Sequence, residues 1–432
     1  MASPSSGLLK QPRAADWAGT IGLIALQFAV LPLMVALKPL VGRGLNPEAT
    51  LRLYYDWGLK LLQGQVPYRD FPLEYPPLAL VPFSLPLLGA LGQPIGYRTY
   101  ASLFPFENAL LSTLIALVLV QVAVRWQPPL RVVPVLGVYA LFLAACAPLL
   151  PWRFDLFPAL LTLLALLCVL AARPTLAGCC LGLGLAAKLY PVLLLPIFAI
   201  YYLVARERRA LCRLLLGSAA AIFLSLLPVM LLAPGEWLFF LRFRQQQGLQ
   251  IETLAAGAIS LAKLLGLTSA RVEYDYHADQ LVSPQADVVL QWQPAVLVLA
   301  LGALYVRCLM RFRHERAMTG ATSPLSLVAY SAAALLAFQA TSRVLSPQYM
   351  VWLLPFAPLL RPLHSGVLFV ICAATSLLYP FNYAGLVALH PFPVLLLNVR
   401  NVLVLALIAL LLADGLRASA HAHPPPRRAA PG

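Results

Sequence analysis

The sequence predicts an all-α polytopic membrane protein with about 12 transmembrane helices and external amphipathic or re-entrant helices between some of them. Three observations predict it. Of 432 residues, 61% are apolar and 11% charged, whereas soluble domains run at roughly 45–50% and about 25%. The apolar residues run along the whole chain rather than in one span. The excess of basic residues, 31 Lys and Arg against 16 Asp and Glu for a net charge of +15, gathers largely in short clusters at the ends of apolar runs, as in cytoplasmic loops. A water-soluble globule, a disordered chain and a nucleic-acid partner are thereby excluded.

A hydrocarbon core of about 30 Å takes roughly 17–25 apolar residues to cross. Candidate spans are 19–41, 100–124, 132–150, 155–172, 175–187, 189–204, 211–233, 292–311, 324–341, 348–361, 364–381 and 393–413. With Lys10 and Arg13 inside, alternate loops carry Arg125 and Arg131, Arg173, Arg206 to Arg213, Arg307 to Arg316, Arg361, and Arg417 with Arg427 and Arg428. That parse puts about 17 basic and 4 acidic residues inside against 14 and 12 outside, so both termini are expected in the cytoplasm. Residues 76–92 are apolar but hold four prolines. Counted as a crossing they would invert every later loop, so they read as a re-entrant or interfacial segment. Residues 47–63 space their apolar side chains helically, with charges between, and read as an amphipathic surface helix stopped at Gly64. The chain is thus expected to be one transmembrane domain over 1–432, with external loops 42–99 and 234–291 and a disordered cytoplasmic tail at 415–432.

Polar groups at span ends all fall on the expected outer face: Tyr68 to Pro77, Trp152-Arg153-Phe154-Asp155, Lys188-Leu189-Tyr190-Pro191, and Thr341-Ser342-Arg343 leading to Ser346-Pro347-Gln348-Tyr349. A fifth, Arg242 to Glu252, lies in the second long loop. Singly, such residues snorkel or form an aromatic belt. Five groups on one face suggest a cavity for an anionic, hydrogen-bonding ligand. Sugar transfer from a lipid phosphate suits it: Arg and Lys neutralise the leaving phosphate, and a carboxylate takes the acceptor proton. No glycine-rich phosphate loop is present, and Gly182-Leu183-Gly184 reads as close helix packing. The seven cysteines read as small buried residues. His277 and His390 are external but isolated in sequence, which supports neither a metal site nor a Ser-His-Asp arrangement.

The stretches GQVPYRDFPLEYPPL (64–78), RFDLFPALL (153–161), GLGLAAKLYPVLLLP (182–196), QGLQIE (247–252) and SPQYMVWLLP (346–355) resemble the GT-C superfamily of integral-membrane glycosyltransferases, and within it glycosyltransferase family 87, the polyprenyl-phosphate-mannose-dependent mannosyltransferases. The resemblance implies an inverting transferase with a polyprenyl-phosphate sugar donor, a membrane lipid or glycan acceptor, no cofactor and no metal. It also implies a bacterial plasma (inner) membrane protein with its active site outside. The family's usual catalytic carboxylate falls at Thr50 here, and Asp56, six residues on, sits about 240° further round a helix. Asp56, Asp70 and Glu74 are therefore the candidate bases. Arg69, Arg153, Lys188 and Arg343 are expected to hold phosphate. Asp155, Tyr75, Gln250, Glu252, Gln348 and Tyr349 are expected to bind sugar or acceptor, Asp155 alternatively forming an ion pair with Arg153. Tyr54, Tyr55 and Trp57 fit a membrane-interface belt better than a stacking platform. The competing class is a twelve-helix secondary transporter, or a flippase of a lipid-linked substrate; transporters bind at the bilayer midplane between repeat halves, and no internal repeat is visible.

Overall fold

In the computed structural model, residues 17–25, 28, 47–89 and 95–417 are described. Most of the expected span 19–41, the N-terminal cluster and most of the tail lie outside them. The chain is a helical bundle with three features at one end: an amphipathic helix, a broken apolar segment and a small hairpin.

Helix α1 (Pro47–Leu62) matches the expected surface helix, and Gly64 just beyond it takes φ +81°, a left-handed stop that glycine adopts without a Cβ penalty. The proline-rich stretch after it is broken as expected. A 3-10 turn (Pro77–Ala79), the short α2 (Leu80–Ser84) and a second 3-10 turn (Leu85–Gly89) succeed one another. Val81, Leu85 and Leu88 are exposed while Phe83 and Leu87 are buried.

The bundle follows: α3 (Tyr97–Arg125), α4 (Val132–Ala145), α5 (Leu156–Leu170), α6 (Pro174–Ala187), α7 (Leu195–Val204) and α8 (Arg208–Leu232). After α9 (Phe239–Gln246) and α10 (Leu254–Leu264) come strands β1 (Arg271–Asp275) and β2 (Ala278–Val282), then α11 (Pro284–Thr319), α12 (Pro324–Thr341), α13 (Pro362–Ser376), α14 (Tyr383–Val387) and α15 (Pro391–Arg417). Among the described residues six helices are long and apolar enough to cross a membrane: α3, α8, α11, α12, α13 with its π-helical extension to Phe381, and α15. Helices α4 to α7 are apolar but shorter. The flanks of α8 and α11 expose Leu216, Leu224, Leu231, Val298 and Leu299, a surface suited to lipid.

Helices α6 and α8 show why glycine punctuates this bundle. A Cβ on Gly182 would stand 2.5 Å from the Ser218 carbonyl oxygen, and one on Gly178 or Gly217 would overlap the backbone of the opposite helix. The backbones touch, as small residues permit between membrane helices.

One expected span is corrected. Residues 348–361 are not an α-helix but two 3-10 segments, Pro347–Leu353 and Ala357–Leu359, with Tyr349 to Leu360 buried inside the bundle. Pro347, Pro355 and Pro358 remove backbone donors, and broken backbone is tolerated at depth only when protein surrounds it. The hairpin is the other departure, since no strand was expected. Its antiparallel register pairs Arg271 with Val282 and Asp275 with Ala278.

Candidate functional site

A cavity of about 710 Å³ opens at the end of the bundle where α3, α5 and α11 begin and α6, α8 and α12 finish. Its lining comes from α1, the 74–75 loop, the residues just before α5 and after α6, α9 and the loop after it, the hairpin, and residues 344–349 and 379–383.

Four cations line it: Arg52, exposed on α1 and 5.0 Å from the Tyr97 ring centroid, and three that lie deeper. Arg153 donates to Thr50 Oγ1 at 2.6 Å and to the Tyr379 hydroxyl at 3.3 Å, and among the described residues no carboxylate lies within ion-pair distance of it. Lys188 is 6% exposed and sits at the mouth of α6, 2.6 Å from Asp155 Oδ1. Four rings surround its ammonium at 4.7–5.8 Å: Phe154, Tyr75, Trp352 and Tyr349. Arg244 on α9 stands 5.5 Å from the Tyr75 ring centroid and donates to Gln247 Oε1 at 3.1 Å. Two guanidiniums without a carboxylate partner beside one buried ammonium form a ready anion site.

The acidic side of the cavity holds Asp56, Glu74, Glu252 and Asp279. Asp56 is half-buried and makes no hydrogen bond or ion pair with another described residue. Glu74 meets the Nδ1 of His277 at the tip of the hairpin, 203 residues away, and that hydrogen bond raises the imidazole pKa. Glu252 is 3% exposed, its Oε2 has no partner, and burial pushes its carboxyl up to about 8 despite the charge of Arg400. Burial thus favours the neutral form of this carboxyl. Asp279 accepts from the Tyr383 hydroxyl at 2.8 Å.

The hairpin is fastened by hydrogen bonds as well as by Leu281, which is buried with Leu249 and Ile251. Ile251 N–H donates to the Asp279 carbonyl and Leu281 N–H to the Leu249 carbonyl. Gln280 joins both sides: its Oε1 accepts from Gly248 N–H at 3.1 Å and its Nε2 donates to the Asp275 carbonyl at 3.0 Å.

Of the residues singled out in the sequence, Asp56, Glu74, Tyr75, Arg153, Lys188, Gln250, Glu252, Gln348 and Tyr349 line the cavity. Asp155 is not in its lining. It lies beneath, 1% exposed, held by Lys188 and by the Trp352 indole N–H at 2.6 Å. Its ionic partner is thus Lys188 and not Arg153. Arg69, Asp70 and Arg343 are not in the lining either. Arg69 grips Asp70 through Nε and Nη2, both at 2.9 Å, and Asp70 also accepts from Val66 N–H at 2.7 Å. Those bonds hold its carboxyl down at about 2 and close the turn around Tyr68, φ +69°. Arg343 donates to the carbonyls of Gln245 and Gln247 at 2.9 and 3.2 Å and so braces the loop after α9. Tyr54 and Trp57 also touch the cavity, but their rings are spent on a buried aromatic cluster; Tyr54 stacks on Phe83 with centroids 4.2 Å apart. Thr50 and Asp56, separated around the helix, both face the cavity because it wraps α1 on two sides. Arg244 belongs to the expected Arg242-to-Glu252 group but has no role assigned from sequence, and Asp279 and His277 were not expected in the site. The hairpin brings the last two in, and no local spacing announces that. Among the described residues no group of three or more His, Cys, Asp or Glu side chains is placed to hold a metal ion.

An apolar bundle carrying a cation-lined, carboxylate-rimmed cavity at one end is the architecture of an integral-membrane enzyme acting on a phosphate-bearing substrate. The model of glycosyltransferase family 87 matches residues 73–347. The chain belongs to that family and is a membrane glycosyltransferase, which removes the transporter and flippase alternatives. Among solved structures, one of ArnT from Cupriavidus metallidurans bound to undecaprenyl phosphate is 15% identical, with a TM-score of 0.45 over 94% of this chain and 79% of that one. No curated protein is matched.

Proposed function

We propose that this glycosyltransferase moves a hexose, mannose by family resemblance, from a polyprenyl-phosphate donor to a membrane lipid or glycan acceptor. The cavity opens on the extracytoplasmic side of a bacterial plasma membrane, and both termini are cytoplasmic. The observation that carries the reading is the convergence of Arg153, Lys188 and Arg244 on one cavity whose other walls hold carboxylates and amides.

In this reading Arg153 and Arg244 bind the donor phosphate from two sides. Their charge offsets the negative charge that grows on the phosphate as the glycosidic bond breaks, an effect worth several kcal/mol when the donors are fixed in advance. Asp155, itself held by the Trp352 indole N–H, accepts from the Lys188 ammonium and fixes it in place. Gln250, Glu252, Gln348 and Tyr349 offer hydrogen-bond partners for sugar hydroxyls. One acceptor oxygen loses its proton on the acidic side of the cavity and attacks the anomeric carbon. The phosphate leaves from the opposite face, which inverts the configuration.

The test supplies purified protein in lipid nanodiscs with labelled polyprenyl-phosphate mannose, glucose or arabinose and extracted membrane lipids. Transfer of label from the mannose donor is expected, with Arg153→Ala and Arg244→Ala each about 10²–10³-fold slower. Label reaching no lipid from any donor would remove the reading.

A further inference from the structure

The cavity holds several groups that could accept a proton, and most are already committed. Asp155 is held by Lys188 and Trp352. Asp279 takes the Tyr383 hydroxyl hydrogen. Glu252 is buried, 3% exposed, beside the Arg400 guanidinium, and burial favours its neutral form. Two candidates remain: the unpartnered Asp56, and the pair formed by Glu74 and His277.

The pair has the construction of an oriented base. Glu74 engages Nδ1 of His277, which leaves Nε2 without a partner among the described residues, on a ring that is 53% exposed and lines the cavity. A carboxylate on one ring nitrogen fixes the tautomer and aims the other nitrogen. The backbone supports the same conclusion. Tyr276 and His277 form the hairpin tip with φ +47° and +57°, the left-handed pattern that two-residue hairpins usually meet with Asn-Gly. Bulky residues in that conformation persist where their side chains are needed in place. The tip is also braced: Tyr276 N–H donates to Asp275 Oδ1 at 2.8 Å, and its ring packs edge-on against Phe243 at 5.5 Å.

Resting on the reading above, we propose that His277, oriented by Glu74, is the general base for the acceptor hydroxyl. The acceptor O–H proton passes to His277 Nε2 as the oxygen bonds to the anomeric carbon. The bond from that carbon to the phosphate oxygen breaks, and the electron pair leaves with polyprenyl monophosphate. The imidazolium, beside the Glu74 carboxylate, returns its proton to water. The charged and titratable groups around the ring are Glu74 from the 74–75 loop, Tyr274, Asp275 and Asp279 on the hairpin, and Arg244 across the cavity. Of these, Glu74 is the one that acts on the imidazole, holding the charged form.

The experiment follows label transfer from the donor between pH 5 and 9 for the wild type, His277→Ala, Glu74→Gln and Asp56→Asn in nanodiscs. A base works deprotonated, so kcat should rise with pH through the imidazole pKa. His277→Ala should lose about 10²–10⁴-fold in kcat with the donor KM changed less than twofold. Glu74→Gln removes the charge that holds the imidazolium, so the acidic limb should move to lower pH. A merely structural clasp would lower Tm and leave that limb where it was. Unchanged kcat in His277→Ala, or loss confined to Asp56→Asn, would overturn the assignment. A second measurement needs no turnover: in ¹³C-histidine-labelled protein, the signal missing from His277→Ala should titrate above the free-imidazole value and fall back in Glu74→Gln. Titration indifferent to Glu74→Gln would overturn the pair, even if the wild type transferred no label and the donor reading itself had failed.

Discussion

The two segments that cover the cavity differ in the balance of packing and hydrogen bonding that holds them. Residues 47–89 are held by burial: Tyr54, Trp57, Phe83 and Tyr75 form an aromatic cluster with Phe104 and Phe154, and Phe83 is fully buried. Residues 247–283 bury Leu249, Ile251 and Leu281 in an aliphatic cluster and add directional bonds: the hairpin ladder, the two bonds of Gln280, and the tie from Gln250 N–H to the Arg343 carbonyl. The first segment is a wall whose position is fixed by packing. The second is a cover that brings polar side chains, Gln247, Gln250, His277 and Asp279 among them, to the cavity.

Replacing Phe83 with Ala should test that contrast with the largest effect. It removes a ring stacked on Tyr54 and should destabilise the protein by about 3–5 kcal/mol, read as a drop in Tm and loss of transfer together. A cost below about 1 kcal/mol would mean that packing does not hold the wall.

Glu252→Gln comes next. The folded carboxyl titrates near 8, above its ordinary value of 4.5, so folding favours the protonated form. The wild type is therefore unpenalised below about 4.5 and loses stability as pH rises through 8. The variant should match the wild type at pH 5 and exceed it at pH 9, by on the order of 2 kcal/mol. Equal Tm values at pH 9 would contradict the burial argument.

Gln280→Ala should have the smallest effect on global stability, about 1–2 kcal/mol for two lost hydrogen bonds. Its mark should be local, as faster amide exchange in 271–282 and a raised acceptor KM with the donor KM unchanged. A fall in donor affinity instead would mean that the hairpin belongs to the donor side.

The same contrast explains what was legible in the sequence. The amphipathic helix, its stop at Gly64 and the broken proline-rich stretch all follow from local spacing, and the five motifs led to the family. The role of Arg244 stayed hidden because Arg242 and Arg244 lie two residues apart in one basic stretch, and only the fold turns the second inward while the first pairs with Glu236. Arg343 misled for the same reason: an arginine at the end of a span reads as a ligand group, yet its guanidinium is taken up by backbone carbonyls. The hairpin carries no Asn-Gly signal, so His277 looked isolated in sequence although its partner is 203 residues away. The buried 3-10 stretch at 347–359 was taken for a span because apolarity alone does not separate a helix crossing lipid from broken backbone enclosed by protein.

The central claim is that Arg153 and Arg244 build the site for a prenyl-linked phosphate. Native mass spectrometry of the protein with decaprenyl phosphate tests it directly. The wild type should retain one lipid phosphate, and the Arg153→Ala, Arg244→Ala double variant should lose it while keeping its Tm. Equal retention by both proteins would contradict the account.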